Sequence, residues 1–306
     1  MQISLSDPLC EFAYQFPDLA ARILHRDRNK RRNFREESVT DLLMAGLTAF
    51  EPFGIYVDFP KDESKTGEDM DWEFVDPTAA DGRYYLRLHI QAKRAIVGAP
   101  QTNRYWWYRE LDHEAQKDTG YGSQAQTLLS GARTIRGCVP LYMFYHTKDA
   151  LQPEDAKGNL PALEGVNVMF AHHLLPILRT SPPKKGNGRW PRADKKAAKW
   201  RPHFMPLSTL LCFGTGPFVF RLPSDMARAF LVVPGLASFS PGALADRLEE
   251  LRSSQTSAGE FVDGASIQAV ESIPDETLQA IRLRRDGVRV DVERPRAIFY
   301  SGDQGE

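Results

Sequence analysis

The stretch from Tyr84 to Lys93 has the pattern of a β-strand with two chemically different faces, and it constrains the fold more than any other part of the chain. Its side chains alternate with period two, which places apolar residues on one face (Leu86, Leu88, Ile90 and Ala92) and polar residues on the other (Arg87, His89, Gln91 and Lys93). The apolar face must be covered by other elements of a folded domain. The polar face either meets water or carries chemistry.

The segments around this strand predict helices and further strands in a mixed order. Apolar residues recur at three- and four-residue steps between Ser6 and Phe50, which indicates two helices separated by a basic joint. Helical spacing also covers residues 123–136, and a strand followed by a helix fits 166–178. Further predicted elements are strands at 55–59, from Asp71 onward and at 139–145, a capped helix at 241–251, and a hairpin at 282–292 around Asp286-Gly287.

Length and composition restrict the class of protein. A chain of 306 residues, 42% hydrophobic and 26% charged, can bury a sizeable core and does not have the composition of a disordered or fibrous protein. Lys plus Arg number 39 against 40 Asp plus Glu. This balance excludes a histone-like protein held to nucleic acid by bulk charge, so any phosphate binding must come from a local patch.

The cysteines and the start of the chain bear on the cellular compartment. Cys10, Cys138 and Cys212 are far apart and form no CxxC pair, so we expect reduced thiols rather than a zinc cluster or a disulfide framework. The first residues lack a basic segment leading into an apolar one. No stretch reaches the ~18 apolar residues of a membrane helix. We therefore expect a cytoplasmic protein that does not enter a membrane.

A basic loop at residues 181–203 is the strongest local concentration of positive charge. Its cations alternate with Trp190 and Trp200, a combination that suits nucleic acid because cations neutralise phosphates and indoles stack on bases. The alternative is a solvated loop without a ligand. The candidate nucleic-acid-binding residues are Lys184, Lys185, Arg189, Lys195, Lys196 and Lys199.

Four residues form the candidate catalytic constellation: Glu37 near a helix start, Asp71 at a strand start, and Gln91 and Lys93 on the following strand. A hard divalent ion such as Mg²⁺ prefers oxygen ligands and is commonly held by one or two carboxylates together with a substrate phosphate. A lysine two residues along the same strand shares that face, where it can orient water or offset charge on phosphoryl oxygens. The expected metal ligands are Glu37, Asp71 and Gln91.

Each assignment has an alternative. Asp69 replaces Asp71 if the strand begins earlier, although Asp71 adjoins the apolar Trp72 and Phe74 that would anchor a strand. Glu37 could serve only as a favourable acid at a helix start, with Glu36 or Asp41 as rival site acids, and Lys93 could simply reach solvent. Further candidates are Glu73 as a second metal ligand, His89 as a base or phosphate contact, and Gln126 on the helix after the hairpin.

The order of these residues resembles the PD-(D/E)xK nuclease superfamily. The segment Ile90-Gln91-Ala92-Lys93-Arg94 resembles the QxK variant of Mrr-like restriction endonucleases, in which Gln replaces the usual acid. More narrowly, the first half of the chain resembles an uncharacterised bacterial nuclease-like family. The resemblance rests on the segments around Glu37, Thr66-Gly67 and Asp71, Gln91-Ala92-Lys93-Arg94, and Pro140-Leu141-Tyr142-Met143-Phe144-Tyr145.

The resemblance implies a restriction-endonuclease-like α/β fold whose mixed central sheet is flanked by helices. We expect a nuclease-like core at 1–150 and a C-terminal extension at 151–306 packed on it. The implied function is Mg²⁺- or Mn²⁺-dependent hydrolysis of double-stranded DNA in restriction or antiphage defence, with a homodimer or a defence partner as the assembly. The alternatives are a catalytically inactive protein that binds nucleic acid or a partner, and a nuclease directed at RNA.

Overall fold

The computed structural model of the chain describes residues 6–26, 34–61, 69–78, 84–98, 105–134, 138–157, 160–186, 188–212, 223, 226 and 273–301. In these ranges the helices are α1 (Ser6–Arg26), α2 (Glu36–Leu47), α3 (Ser123–Thr134), α4 (Leu175–Thr180), α5 (Ala197–Trp200), α6 (Ser208–Leu211) and α7 (Asp275–Arg285). The strands are β1 (Ile55–Asp58), β2 (Asp69–Asp76), β3 (Tyr84–Arg94), β4 (Ile96–Gly98), β5 (Tyr105–Trp107), β6 (Cys138–Tyr145), β7 (Val166–Phe170), β8 (Met205–Pro206) and β9 (Arg296–Tyr300).

A mixed sheet organises the molecule. In the described residues it has seven strands in the order β1-β9-β2-β3-β6-β7-β8, and β4 and β5 form a separate hairpin. β2 and β3 are antiparallel, whereas β3 and β6 are parallel and are joined through α3. The predicted α/β fold, with a mixed central sheet flanked by helices, is confirmed.

The two faces of β3 explain how the layers form. Leu88 and Ile90 enter a buried cluster with Leu43 and Met44 of α2, so the apolar face is covered by the N-terminal helices. On the opposite face, residues of β6 pack with Leu128 of α3 in a second cluster. Each large apolar side chain buried in this way contributes about 1.5–3 kcal/mol to folding. The polar residues of β3 therefore lie in a layer bordered by α3.

The second half of the chain is built into the sheet rather than packed on it. β9 lies between β1 and β2, and both of its faces are buried: Ala297 and Phe299 lie on one face of the sheet and Ile298 on the other. At the opposite edge of the sheet, β7 and β8 follow β6. The predicted division at residue 150 therefore crosses a continuous sheet. The predicted hairpin at 282–292 is wrong, because α7 runs to Arg285 and ends in a turn with Gly287 at φ +75°. The predicted helix at 241–251 lies outside the described residues.

Two observations concern the cysteines and membranes. Cys10 and Cys212 form a disulfide between residues 202 positions apart, whereas Cys138 is a free thiol. The expectation of reduced thiols throughout is therefore wrong for this pair, since folding brings α1 against the end of α6. Within the described part of the chain, no helix combines the length and apolarity needed to cross a membrane.

Candidate functional site

The register of the β2–β3 ladder fixes which candidate residues can meet. β2 begins at Asp69, two residues earlier than the predicted start at Asp71. Asp69 is directly opposite Gln91, and Asp71 is opposite His89. The side chain of Asp69 lies outside the described residues. The alternative that Asp69 is the site aspartate required an earlier start of this strand, and β2 does start earlier.

Asp71 is a buried carboxylate surrounded by cations. Its Oδ2 lies 2.6 Å from Nη2 of Arg87 and 3.7 Å from Nε of Arg294, and its Oδ1 lies 2.6 Å from Nδ1 of His89. Burial alone would raise the pKa of Asp71, but the hydrogen bonds and charges of His89 and Arg87 outweigh it and lower the pKa to about 2. The carboxylate is therefore an internal counter-ion.

The strand positions of Asp71 and Lys93 are well separated along the ladder, which does not favour placing both residues at one metal site. Asp71 is opposite His89, and Lys93 is four residues further along β3, which corresponds to about 13 Å of strand. Asp69 is opposite Gln91, only about 7 Å of strand from Lys93. The sheet register therefore favours Asp69 over Asp71 as the aspartate near the Gln91-Ala92-Lys93 segment.

Gln91 and Lys93 are both buried, with 1% of each exposed, and Gln91 borders a cavity next to β3. The first turn of α2 meets this end of β3, because a carboxylate oxygen of Glu36 accepts a hydrogen bond of 3.1 Å from the backbone N–H of Arg94. The next residue, Glu37, has a buried Oε2 for which the described residues provide no hydrogen-bond partner. Glu37 thus adds a buried carboxylate oxygen to the first turn of α2.

These oxygen donors are of the type that Mg²⁺ prefers. In the described residues, however, no three His, Cys, Asp or Glu side chains are grouped so as to hold a metal ion. The donors that suit a hard cation are therefore Glu37, Gln91 and the strand position of Asp69.

The remaining predicted site residues have different environments. Glu73 is buried and accepts a hydrogen bond of 2.8 Å from Thr277 of α7, and burial raises its pKa, so it is engaged in the core rather than available as a metal ligand. Gln126 is exposed on α3 and does not face the sheet, which corrects its proposed place in the site. His89 borders a cavity beside Asp71.

This cavity lies between β3, α3 and the segment before β9, and has a volume of about 340 Å³. Gln124 and Arg294 belong to it but were missed by sequence reasoning. Arg294 follows from no local motif, since it reaches the cavity only through the insertion of β9 between β1 and β2. Helical spacing could have found Gln124, because it is one turn from Leu128. The lining residues are Arg87, His89, Gln91, Ala115, Gln124, Thr127, Leu128, Gly131, Cys138 and Arg294.

The described residues of the basic loop at 181–203 are anchored to the protein by a few buried side chains, while most of its cations are exposed. Lys195 is buried, with its Nζ 2.9 Å from Oδ2 of Asp112, so it is wrong as a nucleic-acid contact. Trp190 and Trp200 are buried as well and cannot stack on bases. Lys184, Lys185, Arg189 and Lys199 are exposed, and Lys196 is half-buried.

Other aromatic residues accompany the exposed cations. The guanidinium of Arg192 lies 5.0 Å from the ring centroid of Trp107, and Nζ of Lys196 lies 4.9 Å from that of Tyr105. Arg189 covers the ring of Tyr121 at 4.9 Å. We call Tyr105, Trp107, Tyr121, Arg189, Arg192 and Lys196 the cation–aromatic surface.

Comparison with known proteins identifies a family but no characterised relative. No curated protein and no solved structure matches the chain. The family described as "Family of unknown function (DUF6615)" matches residues 9–304, almost the whole chain. The chain therefore belongs to family DUF6615.

Proposed function

We propose that the protein is a metal-dependent nuclease that hydrolyses phosphodiester bonds in DNA, with Glu37, Asp69, Gln91 and Lys93 as its active site. The observation that carries this proposal is the register of Asp69 opposite Gln91, with Lys93 two residues beyond. The arrangement sets an acid, an amide and an ammonium within about 7 Å of strand. Asp71 supports the site as the counter-ion of Arg87 and His89.

The residues of the site divide into two roles. Glu37, Asp69 and Gln91 would hold Mg²⁺ or Mn²⁺, which when bound supplies Lewis acidity toward phosphate oxygens. Lys93 would hold the scissile phosphate, because an ammonium in a buried setting interacts with developing negative charge more strongly than one in water. The low exposure of Lys93 supports this role, since a lysine that serves only solubility would not be buried.

The cation–aromatic surface gives the proposed substrate a place to bind beside the site. β4 begins at Ile96, three residues beyond Lys93, and pairs with β5, which carries Tyr105 and Trp107. The backbone of Lys196 in turn bridges to Trp107. Cations that can neutralise phosphates, and the aromatic rings that they cover, are thus joined by short segments of backbone to the end of β3.

The wider role is proposed from the resemblance to restriction-type nucleases. We propose a cytoplasmic enzyme of restriction or antiphage defence that acts on double-stranded DNA, as a homodimer or with a partner protein. The redox state of Cys10 and Cys212 in cells tests the compartment, because a persistent disulfide contradicts a reducing cytosol. Size-exclusion chromatography with light scattering measures the assembly.

Degradation of supercoiled plasmid tests the nuclease proposal directly. We expect cleavage with Mg²⁺ or Mn²⁺ and none in chelator, and we expect Asp69→Asn and Lys93→Met to lose at least about 100-fold in rate. Asp286→Asn and Lys148→Met change the same residue types at exposed positions and should cleave as wild type. Parallel reactions on single-stranded DNA and total RNA determine which nucleic acid is preferred. Metal-independent cleavage, or full activity of Asp69→Asn, contradicts the proposal.

A second candidate is a protein that binds nucleic acid without cutting it. Two observations favour it: Gln91 occupies the position of a carboxylate, and the buried Asp71 is committed to cations. In that case the cation–aromatic surface would bind DNA in chelator, and no metal would produce cleavage. Arg192→Gln would weaken binding, whereas Lys93→Met would leave it unchanged.

A further inference from the structure

We infer that the cavity bordered by Arg87, His89 and Arg294 is a binding site for a small phosphate monoester of about mononucleotide size. The site lies between β3, α3 and the segment before β9, and its volume of about 340 Å³ is at the lower end of the range for ligand sites. This inference does not depend on nuclease activity, since it concerns binding by Arg87, His89, Gln124 and Arg294; Gln91 of the proposed active site also borders the cavity.

The charge of the cavity is the first argument. Its lining contains two guanidinium groups and an imidazole but no carboxylate in the described residues. Asp71, which lies next to the lining, balances one of these cations. Glu276 reaches only 4.0 Å from Arg87 and is 72% exposed, so solvent screens it strongly. Among the described residues, the only carboxylate paired with Arg294 is Asp71 at 3.7 Å, so an anion in the cavity can offset the charge of Arg294.

The geometry of the cations is the second argument. Arg87 uses Nη2 to hold Asp71, and Arg294 places Nη1 at 3.0 and 3.2 Å from the two ring nitrogens of His89. Asp71 thus holds both guanidinium groups near the same imidazole, which fixes their positions before any ligand arrives. Each guanidinium has five N–H donors, so donors remain beyond those that face Asp71. A phosphate accepts such paired donors well.

The polar groups across the cavity are the third argument, and they indicate more than a bare phosphate. Gln124 lines the cavity and has a buried Oε1 for which the described residues offer no hydrogen-bond partner. Thr127 adds a hydroxyl, and Leu128 and Gly131 form an apolar wall. A buried amide oxygen without a partner is destabilising, and a ligand hydroxyl or amino group that donates a hydrogen bond to it would relieve this cost. A nucleoside attached to the phosphate supplies both a polar edge and an apolar face.

Calorimetric titration of the full chain tests the site in the presence of chelator. The probes are AMP, GMP, CMP and UMP, the corresponding nucleosides, inorganic phosphate, and a 5′-phosphorylated dinucleotide. We expect the phosphorylated probes to bind and the nucleosides to bind at least about tenfold more weakly, since the nucleosides lack the charge-assisted hydrogen bonds of the phosphate. Stronger binding of the dinucleotide than of any mononucleotide identifies a strand end as the source of the phosphate.

Variants separate this site from the proposed active site. Arg294→Gln should weaken phosphate binding about tenfold or more, Arg294→Lys should retain part of it, and the exposed Arg289→Gln should bind as wild type. Gln124→Leu should weaken mononucleotides but not inorganic phosphate. Asp69→Asn and Lys93→Met should bind as wild type even where cleavage is lost. The inference is overturned if no phosphorylated probe binds, or if Arg294→Gln binds as wild type.

Discussion

Arg87 of β3 forms its ion pair with Asp71 of β2, although its direct partner across the ladder is Glu73. The guanidinium reaches diagonally by two residues, a distance that long side chains span easily. Glu73 instead accepts a hydrogen bond from Thr277, and burial raises its pKa. Asp71 and Glu73 lie on the same face of β2, yet the pKa of Asp71 is lowered and that of Glu73 is raised. Of these two acids, Asp71 therefore holds its negative charge more strongly.

The first prediction concerns acid stability. Folding lowers the pKa of Asp71 from 3.8 to about 2, so its carboxylate stabilises the fold fully above about pH 4 and loses that effect as the pH falls toward 2. We expect Asp71→Asn to reduce the free energy of unfolding by about 2 kcal/mol near neutral pH. Urea unfolding followed by fluorescence at a series of pH values measures this difference.

The difference between wild type and Asp71→Asn should shrink below about pH 4, because protonation then removes the same charge in the wild type. Asp18→Asn is the control, since Asp18 pairs with Arg22 across an exposed helix surface. Such pairs contribute about 0–1 kcal/mol. A difference for Asp71→Asn that stays constant down to pH 2 would contradict the assigned pKa.

The second prediction concerns the buried pair of Asp112 and Lys195. Removing one partner leaves a buried charge, so Lys195→Met and Asp112→Asn should each destabilise by about 3–5 kcal/mol, and the double variant by less than their sum. Lys199→Met, which breaks the exposed pair with Asp194, should cost under about 1 kcal/mol. Chemical denaturation of wild type, the two single variants and the double variant measures the coupling between Asp112 and Lys195. Additive losses would contradict the pairing.

Local pattern predicts the elements around the site because each one has a strong periodic signal. The alternation in β3 predicts both its length and its two faces, and the apolar run at 139–145 predicts the buried β6. These signals lie within the strand that they describe. Placing Gln91 and Lys93 on one strand face therefore needs no knowledge of the rest of the fold.

Residues whose role depends on distant partners are beyond such reasoning. Lys195 looks like a solvated cation until Asp112, 83 residues away, takes its charge. Arg294 enters the site only because β9 inserts between β1 and β2, a long-range pairing that no local pattern specifies. The start of β2 at Asp69 likewise depends on its pairing with Gln91, which is 22 residues further along the chain.

The third prediction concerns the contact between α1 and the loop before β7. A Cβ at Gly165 would lie 1.8 Å from the backbone oxygen of Pro17, so α1 packs directly on the glycine backbone. We expect Gly165→Ala to destabilise by about 1–3 kcal/mol, because a backbone atom cannot move aside cheaply. Gly188→Ala, which meets nothing within 4 Å, is the control and should change stability little. Equal melting temperatures for the two variants would contradict this contact.

The final prediction concerns the amide at the position of a metal-binding carboxylate, and it rests on the proposed function. Gln91→Glu should keep cleavage and shift its Mg²⁺ dependence to lower concentration by about tenfold, because a carboxylate binds a hard cation more strongly than an amide. A thermal melt gives a readout independent of activity: Mg²⁺ should raise the melting temperature of this variant more than that of wild type. The exposed Gln126→Glu makes the same change on α3 and should alter neither property. Complete loss of cleavage in Gln91→Glu, or an unchanged Mg²⁺ dependence, would show that the residue at 91 does not ligate the metal.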